Sequence, residues 1–174
     1  MKKTIFLLTI TLIANTITAK TNYPLLGTDK DSLRITELNE YWKELSRTVT
    51  EGDFEGYSTA YHQDAVVIFA TRENKTSVPL AKALAGWKQG FADTKSGKNK
   101  SGVAFRFSQR IGDDTTAHET GIFNYWTSDI SGENKQQVAV HFEMLLVKKD
   151  GKWLGLMEYQ KQPATPEEWD NLEE

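Results

Sequence analysis

The stretch from Val138 to Val147, VAVHFEMLLV, decides the fold. Successive side chains of a strand leave opposite faces. Val140, Phe142, Met144 and Leu146 therefore share a fully apolar face, and His141 and Glu143 share the other. The pattern predicts a half-buried strand, and its surroundings repeat it. Upstream, Val103, Phe105 and Phe107 alternate with Ala104, Arg106 and Ser108, and Gly112-Asp113-Asp114 marks a turn. Thr116 to Trp126 makes a long strand, and Ser128 to Asn134 a polar hairpin loop. Downstream, Asp150-Gly151 is a tight-turn signal and Trp153 to Gln160 returns. The last third reads as an antiparallel meander.

The first half has a different period. Ile35, Leu38, Trp42, Leu45 and Val49 recur at steps of three and four, which predicts a helix from Asp31 with one apolar stripe. Asp31 or Ser32 suits its start, and Gly52 suits a left-handed end. Asp53 then caps a short second helix carrying Phe54, Tyr57 and Tyr61 inward and closing at His62 and Asp64. Ala65 to Ala70, AVVIFA, is a buried strand. Ser77 opens a third helix with Leu80, Leu84, Trp87 and Phe91 as its buried stripe, and Thr94 to Gly102 reads as a mobile loop. Thr165-Pro166-Glu167-Glu168 has the residues of a capping box and predicts a short terminal helix with Trp169 inward. Helices followed by a meander point to an α+β fold.

Residues 1–19 read as a cleavable export signal: Lys2 and Lys3, an apolar run from Thr4 to Ala14, and a small residue at Ala19. An uncleaved anchor is the alternative. The expected location is a bacterial periplasm or the exterior, with no stable membrane anchor after cleavage. Residues 20–30 read as a flexible lead-in, 31–162 as one domain and 163–174 as a short helix and tail. The formal charge is −3, and losing Lys2 and Lys3 with the signal makes it −5. An acidic chain without a basic tract has little to offer phosphate backbones, so no nucleic-acid partner is expected. The absence of cysteine excludes disulfides, thiolate metal sites and a cysteine nucleophile.

Three phrases carry a resemblance. They are Glu51-Gly52-Asp53-Phe54 after the long helix, Tyr61-His62-Gln63-Asp64-Ala65-Val66-Val67 into the first strand, and Lys149-Asp150-Gly151-Lys152-Trp153 before the last. Their order and spacing, from Leu33 to Tyr159, resemble the NTF2-like superfamily, with the nearest likeness to SnoaL-like and DUF4440-type members. The resemblance implies a cystatin-like cone: N-terminal helices on a strongly curved antiparallel sheet, with an apolar cavity at the wide end. It also implies homodimers through the outer face of the sheet. The superfamily includes ketosteroid isomerases, scytalone dehydratases, polyketide cyclases and many members with no demonstrated activity, so fold alone does not assign chemistry. DUF4440-type members often end the last strand with an acidic residue, His and an aromatic. Here Met157-Glu158-Tyr159-Gln160 puts Tyr159 where the His falls.

Two functions follow as expectations. The first is binding of a small, mostly apolar ligand against Tyr57, Tyr61, Phe69, Trp87, Phe91, Phe107, His118 and Tyr159. The second is a cofactor-free isomerisation or dehydration, with His141 or His62 as base and Glu143 or Tyr159 assisting. A third reading is an interaction module whose own side chains fill the cavity. His118, His141 and Glu143 have the chemistry of a zinc site, but no helical His-Glu-x-x-His pattern supports one, and no metal or cofactor is expected. Asp64 reads as a backbone-binding corner residue rather than a site residue. No nucleophile elbow, phosphate loop or dinucleotide fingerprint is present.

Overall fold

The structure, a computed structural model, describes residues 29–71 and 73–172. The expected export signal at 1–19 and nearly all of the expected lead-in lie outside the described residues. Helix α1 (Asp29–Glu51) and the short α2 (Phe54–Thr59) lead into β1 (Tyr61–Phe69) and β2 (Thr76–Pro79). Helix α3 (Leu80–Lys95) follows, then β3 (Lys100–Gly112), β4 (Thr116–Ser128), β5 (Gln136–Lys149), β6 (Lys152–Pro163) and α4 (Pro166–Asp170). The strands form one sheet in the order β2-β1-β6-β5-β4-β3. Among the described residues no helix is long and apolar enough to cross a membrane.

The expected stripe of α1 is what buries it: Leu38, Trp42, Leu45 and Val49 are buried, and the first three share a core with Phe142, Met144 and Leu146 of β5. The helix ends at Gly52, whose φ of +67° a side chain resists. A Cβ at Gly52 would also stand 2.4 Å from Lys95 N and 2.5 Å from Phe91 O, so the ends of α1 and α3 meet backbone to backbone there. Asp53 then caps α2 by accepting from the Gly56 N–H at 2.9 Å, and Arg47 ties that cap to α1 at 2.8 Å.

Several boundaries differ from the expected ones, each for a pairing reason. β1 begins at Tyr61, so His62 and Asp64 are strand residues rather than the end of a helix. What extends it is a parallel pairing with β6, Tyr61↔Gly155 and Val66↔Met157, which breaks the otherwise antiparallel sheet. Gly155 makes this possible, since a Cβ there would come within 2.9 Å of the Tyr61 ring. Ser77 does not cap α3; it pairs with Ile68 inside β2, and the helix starts after Pro79. A proline on this edge strand leaves no ladder donor missing. The expected loop over Thr94–Gly102 is mostly structured, because buried Ser101 donates to Val49 O at 3.0 Å and anchors the start of β3.

The turn at Asp150 and Gly151 has positive φ at both positions, 52° and 77°, which matches a two-residue hairpin. Register shifts between Tyr61 and Val66, Phe107 and Gln109, His141 and Phe142, and Leu145 and Leu146 interrupt the ladders. Such bulges bend and twist a strand, and here they curve the sheet around the helices. The capping box at Thr165 and Glu168 forms as the sequence indicates. Helix α4 lies on the outer face of the sheet, with the Arg106 guanidinium 4.6 Å over the Trp169 ring.

Candidate functional site

The concave side of the sheet and the helices α1, α2 and α3 enclose a cavity of about 500 Å³. Its depth is set by Trp42 and Phe142, both buried, and its rim by the exposed Val138 of β5 and by Gly86 and Gly90 of α3. Aromatic rings make most of the wall. Tyr57 packs against Tyr61, Trp87 and Phe91 with ring centroids 5.0–5.9 Å apart. Phe105 and Phe123 complete the sheet side around Phe142.

One carboxyl interrupts this apolar surface. Glu158 of β6 pairs with Met144 of β5 and Val67 of β1, both of them buried, so its side chain shares their inward face. It is 6% exposed. The Tyr61 hydroxyl donates to Glu158 Oε2 at 2.6 Å and the Gln160 amide to Oε1 at 2.7 Å. The hydroxyls of Tyr57 and Tyr61 lie 3.1 Å apart and extend the chain of hydrogen bonds. Among the described residues no lysine, arginine or histidine lines the cavity. Burial pushes the Glu158 carboxyl above its ordinary range, and the bonds from Tyr61 and Gln160 only partly pull it back. The phenols of Tyr57 and Tyr61 are also driven up, first by burial and then by the Glu158 charge.

This shift has a stability consequence. A carboxyl raised above its unfolded-chain value favours folding in its protonated form, so the wild type loses stability as pH climbs from the unfolded value through the folded one. Glu158→Gln removes that loss. The variant is expected to be more stable than wild type at pH 7, with the difference shrinking as pH falls through the raised folded value and gone below about 4.3, the unperturbed glutamate value. Urea midpoints of both proteins between pH 4 and 8 measure this, and a difference independent of pH would contradict it.

The residues expected from sequence divide sharply. Tyr57, Tyr61, Trp87 and Phe91 line the cavity. Phe69 and Phe107 stand behind it, Phe69 against Trp87 and Phe107 against Trp42. His141 and Glu143 do share a face, but the opposite one, because the apolar row Val140-Phe142-Met144 takes the side toward the helices. They do not pair with each other. His141 Nε2 lies 3.2 Å from Glu168 of α4. Glu143 accepts from Lys161 at 2.7 Å and meets His118 at 3.2 Å, and Lys161 first, then His118, holds its carboxyl below the usual range. His118 and Tyr159 are likewise outside the cavity. His62 lies in a second groove of about 350 Å³ beside Lys149 and Lys152. Its Nδ1 accepts from the Asp64 backbone N–H at 3.2 Å, and the Asp64 side chain is exposed. Among the described residues no group of three or more His, Asp or Glu side chains is placed to hold a metal.

Glu158 and Gln160 were not expected to be site residues. Counting alternation from the inward Trp153 puts Tyr159 inside; the register shift between Leu145 and Leu146 inserts one residue of β6 and exchanges the faces, so Glu158 and Gln160 point in.

No protein-family profile matches the chain, and no curated protein matches it. Solved structures do. An NTF-2 like protein of unknown function from Shewanella oneidensis MR-1 is 14% identical, with a TM-score of 0.56 over 74% of this chain and 99% of that one. Aln2 from a Streptomyces species is 13% identical, with a TM-score of 0.61 over 75% and 91%. A protein from Catenulispora acidiphila in complex with S-DNPA is 14% identical, with a TM-score of 0.56 over 75% and 93%. At these identities the likeness is one of fold.

Proposed function

We propose, from the NTF2-like fold of this chain, that it is a receptor for a small, mostly apolar molecule held in the cone with Glu158 as its polar anchor. The observation that carries this reading is the cavity itself. At about 500 Å³ it falls within the usual range of ligand pockets, and it combines apolar walls with a few convergent polar groups. A protein of similar fold is in complex with S-DNPA, which supports ligand binding by this fold. The reading includes export directed by residues 1–19. It also includes pairing of two copies through the outer face of the sheet, where Val66 is exposed and Leu145, Met157 and Tyr159 are half-buried in the single chain.

Gly90→Leu tests the receptor reading. A Cβ at Gly90 meets no atom within 4 Å, so a leucine fits at the rim and narrows the opening. Replacing glycine inside a helix also improves helix propensity by about 0.5–1 kcal/mol, so the fold should hold. Tryptophan fluorescence titrated with 2-naphthylmethanol is expected to saturate for wild type and to lose at least about tenfold in affinity, roughly 1.4 kcal/mol, in the variant. Equal affinities would mean that the probe binds elsewhere.

The second reading is a cofactor-free proton transfer in the same cavity, and one observation favours it. A buried carboxyl shifted upward is a stronger base than an exposed one and is suited to accept a proton, so Glu158 takes the place that His141 and Glu143 were expected to fill.

A further inference from the structure

Glu158 differs from other carboxylates of this chain in its company. Glu119 is held by Arg110 at 2.8 Å, Glu37 by Lys148 at 2.6 Å, and Glu143 by Lys161 at 2.7 Å. The described groups around Glu158 are Tyr41 from α1, Tyr57 from α2, Tyr61 from β1, Met144 from β5 and Gln160 on its own strand. None is cationic. Its hydrogen bonds nonetheless suit the charged form. Each oxygen already accepts a hydrogen bond, Oε2 from Tyr61 and Oε1 from Gln160, and donors so placed favour the charged form.

A buried anion with two donors and no counter-ion among the described residues is costly. The missing charge has room to arrive from the cavity, and the walls there are suited to it. The faces of aromatic rings attract cations, most strongly where water is excluded, and Tyr57, Trp87, Phe91, Phe105 and Phe123 surround the space that Glu158 faces. An anionic ligand meets the reverse situation, since it would add a second negative charge with no base among the described lining residues to offset it. A neutral alcohol gains the apolar contact but supplies no counter-charge.

We infer that the cavity selects a hydrophobic organic ammonium ion, its nitrogen paired with the Glu158 carboxylate and its apolar body against the aromatic wall. This rests on the receptor reading and narrows it to a ligand class. Binding also carries a proton signature. Wherever Glu158 is protonated in the free protein, an arriving ammonium ion displaces that proton, so binding weakens as pH falls and releases protons to the buffer.

Three probes of similar shape separate the possibilities: 2-naphthylmethylammonium, 2-naphthylmethanol and 2-naphthoate, titrated calorimetrically into wild type and Glu158→Gln at pH 7. The amide keeps the shape of the side chain and an acceptor for Tyr61. Wild type is expected to bind the ammonium ion at least about tenfold tighter than the alcohol, and the carboxylate most weakly. In Glu158→Gln the preference for the ammonium ion over the alcohol is expected to vanish. Thermal unfolding of the variant confirms that it is folded. If the alcohol or the carboxylate binds wild type as tightly as the ammonium ion, or if the variant keeps the preference, the inference is wrong and the receptor reading stands. If none of the three binds wild type, the receptor reading fails and the inference with it.

Discussion

Arg110→Met is expected to lower the unfolding free energy by about 3–5 kcal/mol, the cost of breaking a buried ion pair from one side. Glu119 is 1% exposed. Arg110 grips it with two bonds, Nε to Oε1 at 2.8 Å and Nη2 to Oε2 at 3.0 Å, and Trp42 Nε1 donates to Oε2 at 2.5 Å. Methionine keeps the length of the arginine stem but removes the guanidinium, which also sits 4.3 Å over the Phe107 ring, and leaves the carboxylate buried without its counter-charge. The double variant Arg110→Met with Glu119→Gln should recover most of the loss. The amide needs no cation and still offers Trp42 an acceptor, and a buried pair replaced on both sides is often close to neutral. Urea denaturation measures both, with an unchanged slope confirming that only stability has moved. A single-variant loss below about 1 kcal/mol, the range of exposed pairs, would mean that water reaches Glu119.

The second large effect is expected at Phe142. Its ring touches those of Trp42, Phe105, Phe107 and Phe123 at centroid distances of 5.5–6.3 Å, and it is 1% exposed. Phe142→Ala removes the centre of that cluster and should cost about 3–5 kcal/mol. Because Phe142 also lines the cavity, the lost volume adds to space already open rather than forming a sealed void. The variant should therefore regain stability when 2-naphthylmethanol is added, as any ligand of the folded state stabilises it by mass action. A loss under about 1 kcal/mol would show that the wall repacks around the shorter side chain.

The legible parts of the sequence were those with a local cause. The stripe from Leu38 to Val49, the Asp53 cap, the Asp150-Gly151 turn and the Thr165–Glu168 box each depend on residues within a few positions of one another, and each formed. The likeness to the NTF2-like superfamily, drawn from three short phrases, led to the right fold. Strand β2 was not legible. Thr76–Pro79 is short and polar, and it is a strand because β1 lies beside it. The parallel pairing of β1 with β6 was hidden for the same reason, since it joins Tyr61 to Gly155 across most of the chain.

The site was harder to read than the fold because faces depend on register. His141 and Glu143 were correctly placed on one side of β5, but alternation alone does not say which side meets the helices. The four-residue apolar row opposite them was the informative signal, since the wider apolar surface is buried. At β6 a single inserted residue reversed the parity, and Tyr159 and Glu158 exchanged places. An acidic residue in an otherwise apolar return strand was visible in Met157-Glu158-Tyr159-Gln160. Its inward direction was not.

That exchange also provides the most direct test of binding inside the cone. Met144 lines the cavity, paired with Glu158, and Met157 lies on the opposite face of the sheet, paired with Leu145. Their ε-methyl resonances, followed by NMR while 2-naphthylmethylammonium is titrated into the full chain, report on the two faces separately. A ligand anchored at Glu158 produces a saturable shift at Met144 with Met157 unmoved. A saturable shift at Met157 with Met144 unmoved would place binding on the outer face, with His118, His141 and Glu143, and would contradict a site inside the cone.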